Sequence, residues 1–251
     1  MLGLLALHGF TGSPSELGFL VDRVRAAGYP VRAPLLPGHG TTPGDLQART
    51  FDDWLAAGRA ELKQARAAGD TVVVCGFSMG TLVALSLASD EATRKDVAAL
   101  VLLGCAIELS PPLRAAFGFV QKTKMRLPDA YMPKPFGPDI RDKTLAGSIG
   151  DYDKHPVRAA MEVYRAGQRL LPRLSDVTCP TLVLHGERDR VCSVRGAREL
   201  ASLLGTQDVR IRTYPRSAHM LALDYDREEV ARDVIAFLDR QRSGHHTISQ
   251  T

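Results

Sequence analysis

Thr71-Val72-Val73-Val74-Cys75-Gly76-Phe77-Ser78-Met79-Gly80 runs directly into Thr81-Leu82-Val83-Ala84-Leu85-Ser86-Leu87-Ala88-Ser89, and the order of residue types there decides the fold. Residues 71–75 are a short, apolar, β-branched run of strand length. Residues 79–89 put apolar side chains on more than one helical stripe, the pattern of a helix buried on most sides. Between them, Gly76-Phe77-Ser78-Met79-Gly80 has room only for a sharp turn. A serine hydroxyl is a poor nucleophile unless a base takes its proton and its oxygen faces the substrate. A crowded strand-to-helix turn meets the second need and calls for glycine on either side. The following helix then aims its first amides at a reacting carbonyl, where negative charge develops. The competing reading of the same residues is a glycine-rich turn that merely packs closely.

Outward from this unit the rhythm repeats. Strand-length apolar runs at 3–7, 29–33, 98–103, 181–185 and 209–214 alternate with helical periodicity at 15–27, 51–68, 194–204 and 227–240. Such alternation predicts βαβ units, and so a mostly parallel sheet of about six to seven strands flanked by helices on both faces. Ligands of such sheets bind beyond the carboxyl ends of the strands. The rhythm breaks at 106–176, which carries eight prolines and no convincing strand, although 157–171 reads as a helix. The predicted organisation is therefore a core formed by 1–105 and 177–242, an inserted lid at 106–176, and a flexible polar tail at 243–251.

With 251 residues, 45% hydrophobic and 24% charged, the chain has an ordinary globular composition and can bury one large core. No apolar run approaches the length needed to cross a bilayer, and the opening Met1–Leu7 lacks the basic flank and cleavage site of a signal peptide. Cys75, Cys105, Cys179 and Cys192 fit no zinc template, and a chain of this length needs no disulfide staples; reduced thiols in a cytoplasmic protein are the expectation. Of 32 Lys/Arg and 28 Asp/Glu, 12 and 8 lie in 106–176, so the whole net charge of +4 sits in that segment. No aromatic-interleaved basic motif of a nucleic-acid binder is present.

A nucleophilic Ser78 needs a histidine and an orienting acid. Of seven histidines, His219 follows the last strand, where a loop returns it to the carboxyl edge of the sheet. Asp189 follows the strand at 181–185 after a short turn, giving the chain order Ser…Asp…His. Glu187, Asp208 and Glu108 are rival acids that read better as solvated loop carboxylates. Two N–H donors must face the carbonyl oxygen; by position these are the amides of Met79 and Phe10. His8 and His39 read as loop braces.

By these residues the chain resembles bacterial carboxylesterases and monoacylglycerol lipases of the α/β-hydrolase superfamily. The matching stretches are LHGFTGSPSELGFL (7–20), APLLPGHGTTPGDLQARTFDDW (33–54), VCGFSMGTLVALSLA (74–88), CPTLVLHGERDRV (179–191) and AHMLALDYDREEV (218–230). The resemblance implies an α/β-hydrolase fold and carboxyl-ester hydrolysis through an acyl-enzyme. It assigns Ser78 as nucleophile, His219 as general base and acid, Asp189 as the residue orienting His219, and Phe10 and Met79 as oxyanion donors. It implies no cofactor and no metal. The expected substrates are short- to medium-chain acyl esters, monoacylglycerols among them. A thioesterase, a lactonase or a carbon–carbon bond hydrolase is the alternative, and a non-catalytic binder of small molecules the remote one. A monomer or homodimer is expected, without nucleic acid or stable membrane insertion. Family members usually carry residues before the first strand, whereas this chain starts almost on it.

In the lid, Leu113, Phe117, Phe119 and Val120 precede Lys122, Lys124 and Arg126, then Tyr131, Met132 and Phe136. One reading is selectivity for substrates with an acyl chain and a polar or anionic end, or brief contact with an anionic membrane surface. The other is a helix with its apolar face on the core and its lysines in water.

Overall fold

The computed structural model describes residues 1–123, 130–133, 137–145, 152 and 154–248, with side chains up to residue 243. Its centre is a six-stranded sheet built from β1 (Leu2–Leu7), β2 (Val31–Arg32), β3 (Thr71–Phe77), β4 (Val97–Leu103), β7 (Thr181–Gly186) and β8 (Val209–Tyr214). The spatial order is β2-β1-β3-β4-β7-β8, and every pairing is parallel. All six residues of β1 and of β7 are buried, because helices cover both faces of the sheet.

Alternation along the strands divides the core in two. Leu5, Leu7, Val72, Val74, Leu100 and Leu102 face one side, with Trp54 and Leu62 of α3 (Phe51–Ala67), α4 (Met79–Ser89) and Leu200 of α7 (Val194–Leu203). Leu4, Ala6, Val73, Cys75, Val101 and Leu103 face the other. There they meet Leu20 and Val24 of α1 (Gly18–Ala26) and Val230, Val234 and Phe237 of α8 (Arg227–Ile248). All eleven residues of α4 are buried, as its all-round apolar pattern predicts. The outer edge strand β8 carries exposed Arg210 and Arg212, which discourage pairing with another edge.

Three expectations are revised. The strand expected at 29–33 is only two residues long: the Tyr29 amide still bonds back to the Val24 carbonyl of α1, and before Val31 β1 is met only through the Pro30 carbonyl, which accepts the Leu4 amide. The helix expected to end at 240 continues to Ile248 and takes in part of the stretch expected to be a flexible tail. Arg242 pairs with Asp239, and the Ser243 hydroxyl bonds to the Asp239 carbonyl. The 106–176 segment, expected to lack strands, contains a two-stranded antiparallel ladder of β5 (Tyr131–Pro133) and β6 (Lys154–Pro156). Its members lie more than twenty residues apart in the chain, so local pattern cannot reveal the pairing. The same segment holds α5 (Pro111–Thr123) and α6 (Val157–Leu170); with α2 (Pro43–Gln47) these are the remaining α-helices among the described residues. Lys124, Arg126 and Phe136 lie outside the described residues.

Candidate active site

At the carboxyl end of β3 the chain turns so tightly that Ser78 adopts φ 51°, a left-handed conformation uncommon for a residue with a side chain. The turn is possible only with glycine around it. A Cβ on Gly76 would lie 2.4 Å from the Gly80 carbonyl oxygen, and one on Gly80 would lie 2.1 Å from that of Leu7. Strain of this kind costs about 1–3 kcal/mol and is characteristic of sites that pre-position a reacting atom.

Two other strand ends converge on Ser78. Its hydroxyl lies 2.9 Å from His219 Nε2, and His219 Nδ1 lies 2.8 Å from Asp189 Oδ2. With Nδ1–H donating to the carboxylate, Nε2 is unprotonated and can accept the serine proton. Asp189 has a buried side chain whose other oxygen, Oδ1, accepts the amides of Val191 and Cys192, each at 2.8 Å. Burial alone would raise its carboxyl; the charge on His219 and hydrogen bonds from His185 and His219 outweigh that and hold it well below the ordinary carboxylate range. Conversely, burial alone would lower the His219 imidazole, and the Asp189 carboxylate reverses this and raises it.

The loop bearing His219 is itself anchored. Asp224, fully buried, accepts the Ala218 amide at 2.8 Å, and Asp226 accepts the Ser217 hydroxyl at 2.8 Å. Beneath the loop, Gly186 lets the chains close: a Cβ there would sit 2.2 Å from the Ala218 carbonyl oxygen. Facing Ser78 from β1 is the loop His8–Gly12. Among the described residues the amides of Phe10 and Met79 have no acceptor, Met79 being at the first position of its helix, where none is available within the helix.

The rival acids stand elsewhere. Glu187 accepts from the Thr213 hydroxyl, Asp208 pairs with Arg210, and Glu108 with Arg114. His8 accepts the Leu36 amide on Nε2 and bonds to the Gly9 carbonyl through Nδ1, tying the loops after β1 and β2 together. Burial, with His39 nearby, pushes His8 down to about 3; burial pushes His39 down to about 4. Both are neutral braces.

Four neighbours were not singled out from the sequence. Glu16 is buried, accepts the Gly9 amide at 2.8 Å and occupies the curl of the His8–Gly12 loop; a Cβ on Gly12 would strike its carboxylate. His185, also buried, brings Nε2 within 3.1 Å of Asp189 Oδ2. Asp139 lies 3.4 Å from the His219 amide. His155 of β6 stacks on Phe10, ring centroids 5.9 Å apart. Only Glu16, directly after the loop, and His185, four residues before Asp189, lie close enough in sequence to attract notice.

Above Ser78 is a pocket of about 190 Å³ lined by residues of the core, including Phe10, Glu16 and Phe77, and of the 106–176 segment, namely Leu113, Gly137, Asp139 and His155. Among the described residues, side-chain atoms of Asp189, Cys192 and His219 come within 4.8 Å of one another. This is no vacant chelate: the Asp189 oxygens already accept hydrogen bonds, and burial and the Asp189 charge drive the Cys192 thiol well above its ordinary range.

A parallel sheet covered on both faces, with serine at a strained strand-to-helix turn and histidine and aspartate on later strand ends, defines an α/β-hydrolase. The chain belongs to the family described as serine aminopeptidase, S33, whose model matches residues 3–226. It is 29% identical to a thermostable monoacylglycerol lipase of Bacillus sp. (strain H-257), over 94% of this chain and 90% of that protein. It is 24% identical to a carboxylesterase of Bacillus subtilis (strain 168), over 94% and 92%. A solved structure from work on LipS and LipT, two metagenome-derived lipolytic enzymes, superposes with a TM-score of 0.85 at 28% identity, covering 95% of this chain and 94% of the other.

Proposed function

We propose that the chain is a serine carboxylesterase that hydrolyses short- to medium-chain acyl esters, monoacylglycerols among them, through an acyl-enzyme. The observation that carries the reading is the continuous hydrogen-bonded line Ser78–His219–Asp189 below a pocket into which Ser78 opens. His219 Nε2 takes the hydroxyl proton as Ser78 Oγ attacks the ester carbonyl carbon. The developing oxyanion is held by the Phe10 and Met79 amides, each such donor being worth roughly 10²–10³ in rate. His219 then passes the proton to the departing alcohol oxygen. Water, deprotonated by the same nitrogen, attacks the acyl-enzyme and frees Ser78. Asp189 keeps His219 in the required tautomer and stabilises its charged form. No step calls for a cofactor or metal.

Residues 106–176 act in this reading as a lid, since Leu113, Gly137 and His155 complete a pocket whose floor belongs to the core. The relatives named for monoacylglycerol lipase and carboxylesterase activity favour oxygen esters. The family's description as a serine aminopeptidase makes amide hydrolysis the second reading, because the same groups can protonate a leaving amine. Among the described residues no helix is long and apolar enough to cross a membrane. The four cysteines are free, in keeping with the cytoplasmic location that belongs to this reading.

The test is a p-nitrophenyl ester series from two to sixteen carbons, with aminoacyl p-nitroanilides alongside, on wild type and Ser78→Ala. Activity on the shorter esters that Ser78→Ala abolishes is expected. Cleavage of the anilides alone would replace ester with amide hydrolysis, and undiminished activity in Ser78→Ala would remove Ser78 as nucleophile.

A further inference from the structure

Beside the Ser78 pocket lies a second hollow, of about 420 Å³, lined by Arg141, Lys143, Arg188, Arg190 and Ile140. Among the described residues that line it, four of five side chains are cationic. Arg190 is paired with Asp139 at 2.7 Å, and Arg188 donates Nε–H to the Pro215 carbonyl, which offsets no charge. Arg141 and Lys143 form no ion pair among the described residues. The intervening acid, Asp142, is turned inward onto Thr144 and Arg227. Like charges gathered around one concavity raise each other's energy until an anion enters.

The concavity is fixed before any ligand arrives. Asp224 accepts the Arg141 and Asp142 amides at 2.8 and 2.9 Å, and Ile140 is buried. On the other side, Asp139 accepts the Arg190 amide at 2.9 Å and Asp189 the Val191 amide. Both backbones that carry the cations are thus tied to buried or half-buried carboxylates, so little ordering is needed on binding.

The hollow and the Ser78 pocket share a wall. Asp139 and Val191 line the pocket, while their chain neighbours Ile140 and Arg190 line the hollow. His219 stands at that wall, its amide 3.4 Å from Asp139. In ester hydrolysis His219 must protonate the departing alcohol, so the alcohol part of the substrate leaves on the His219 side. We propose that the hollow is an anion subsite for the alcohol part of the substrate, and that the preferred class is carboxylic esters whose alcohol bears a phosphate group, such as an acylated glycerol phosphate. A phosphate group, with its two charges and several acceptor oxygens, suits a set of three arginines and a lysine better than a neutral alcohol does. The inference rests on the ester-hydrolase reading and narrows its substrates. The cations come from residues 141–143 and 188–190, and not from Lys122 of α5.

The experiment compares hexanoyl glycerol with hexanoyl glycerol phosphate, both soluble at the concentrations needed. It uses wild type and an Arg141→Ala/Lys143→Ala double variant, whose altered side chains are exposed and outside the catalytic groups. In wild type, kcat/KM should be about tenfold higher for the phosphate ester, as a few partly exposed ion pairs allow. That preference should shrink as salt is raised to about 0.5 M. The double variant should lose it while keeping its kcat/KM on hexanoyl glycerol. Calorimetric binding of both esters to Ser78→Ala, with and without the double substitution, should give the same ratio. Equal kcat/KM and equal binding, or a preference that the double variant retains, would overturn the subsite. If wild type hydrolyses neither ester, the ester-hydrolase reading falls instead, and the calorimetric ratio still decides whether the hollow selects an anion.

Discussion

The sheet core and the 106–176 segment are built on different terms. In the core, β1 and β7 are buried throughout and β3 and β4 at all but one residue each, and the turns at Gly76, Gly80 and Gly186 are so close that a methyl group would break them. In the inserted segment, α5 has no buried residue, and β5 and β6 are three residues each. Yet both regions line the same pocket. The buried frame positions Ser78, His219 and Asp189, and a less buried element borders the pocket above them. On the proposed function, chemistry and selectivity should therefore be separable by mutation.

The largest break in that comparison is Gly80→Ala. Its methyl would meet the Leu7 carbonyl at 2.1 Å and push α4 off β1. We expect a loss of about 4 kcal/mol or more, read as a collapse of the urea midpoint. A near-native midpoint would show that the turn has slack.

Ser78→Ala leaves the frame intact but removes the proposed nucleophile. Ester hydrolysis should fall by about 10⁴-fold or more with little change in Tm. Asp189→Asn should lower kcat by about 10³–10⁴-fold, because the amide favours the wrong imidazole tautomer. It also removes the charge that raises His219. Since His219 must be neutral to accept the serine proton, kcat/KM should rise with pH through a limb above the ordinary imidazole value of 6.5. In Asp189→Asn the midpoint should move to lower pH; an unmoved limb would mean that another group controls it.

A smaller effect is expected at Glu16, whose carboxylate both shapes the Phe10 loop and adds to the charges raising His219. Glu16→Gln should keep kcat within about threefold and shift the acid limb downward. Glu16→Ala should cost about 10–100-fold in kcat, on the scale of a misplaced oxyanion donor. Equal kcat in the two variants would leave the loop role unsupported.

The mildest change belongs to the inserted segment. Leu113→Ala should leave Tm and short-ester kcat unchanged and alter the relative kcat/KM for longer acyl chains by a few-fold, as one or two methylenes of pocket wall allow. A drop in Tm of several degrees would mean that α5 belongs to the core after all.

Much of this was legible in the sequence because it is local. Residues 71–89 state strand, turn and buried helix in one run, and Gly76 and Gly80 announce the close approach later measured around them. Val209–Tyr214 and Met79–Ser89 fall where periodicity puts them. Asp189 and His219 are legible at one remove, through their place after successive strands. The antiparallel pairing of β5 with β6 and the extension of α8 to Ile248 were not, since each depends on partners or packing that no short window contains.

What the sequence by itself determined is the parallel frame, the turn that presents Ser78, and the order in which an acid and a histidine arrive at the same edge. Periodicity and glycine placement are properties of short windows, and they act through sterics that need no distant partner. Only the tertiary structure decided that Glu16 reaches Gly9, that Asp224 ties residues 141–142 to the His219 loop, and that four cations gather beside the pocket. Those are meetings of residues up to 83 positions apart, and they form only once burial of the sheet has brought its strand ends to one edge.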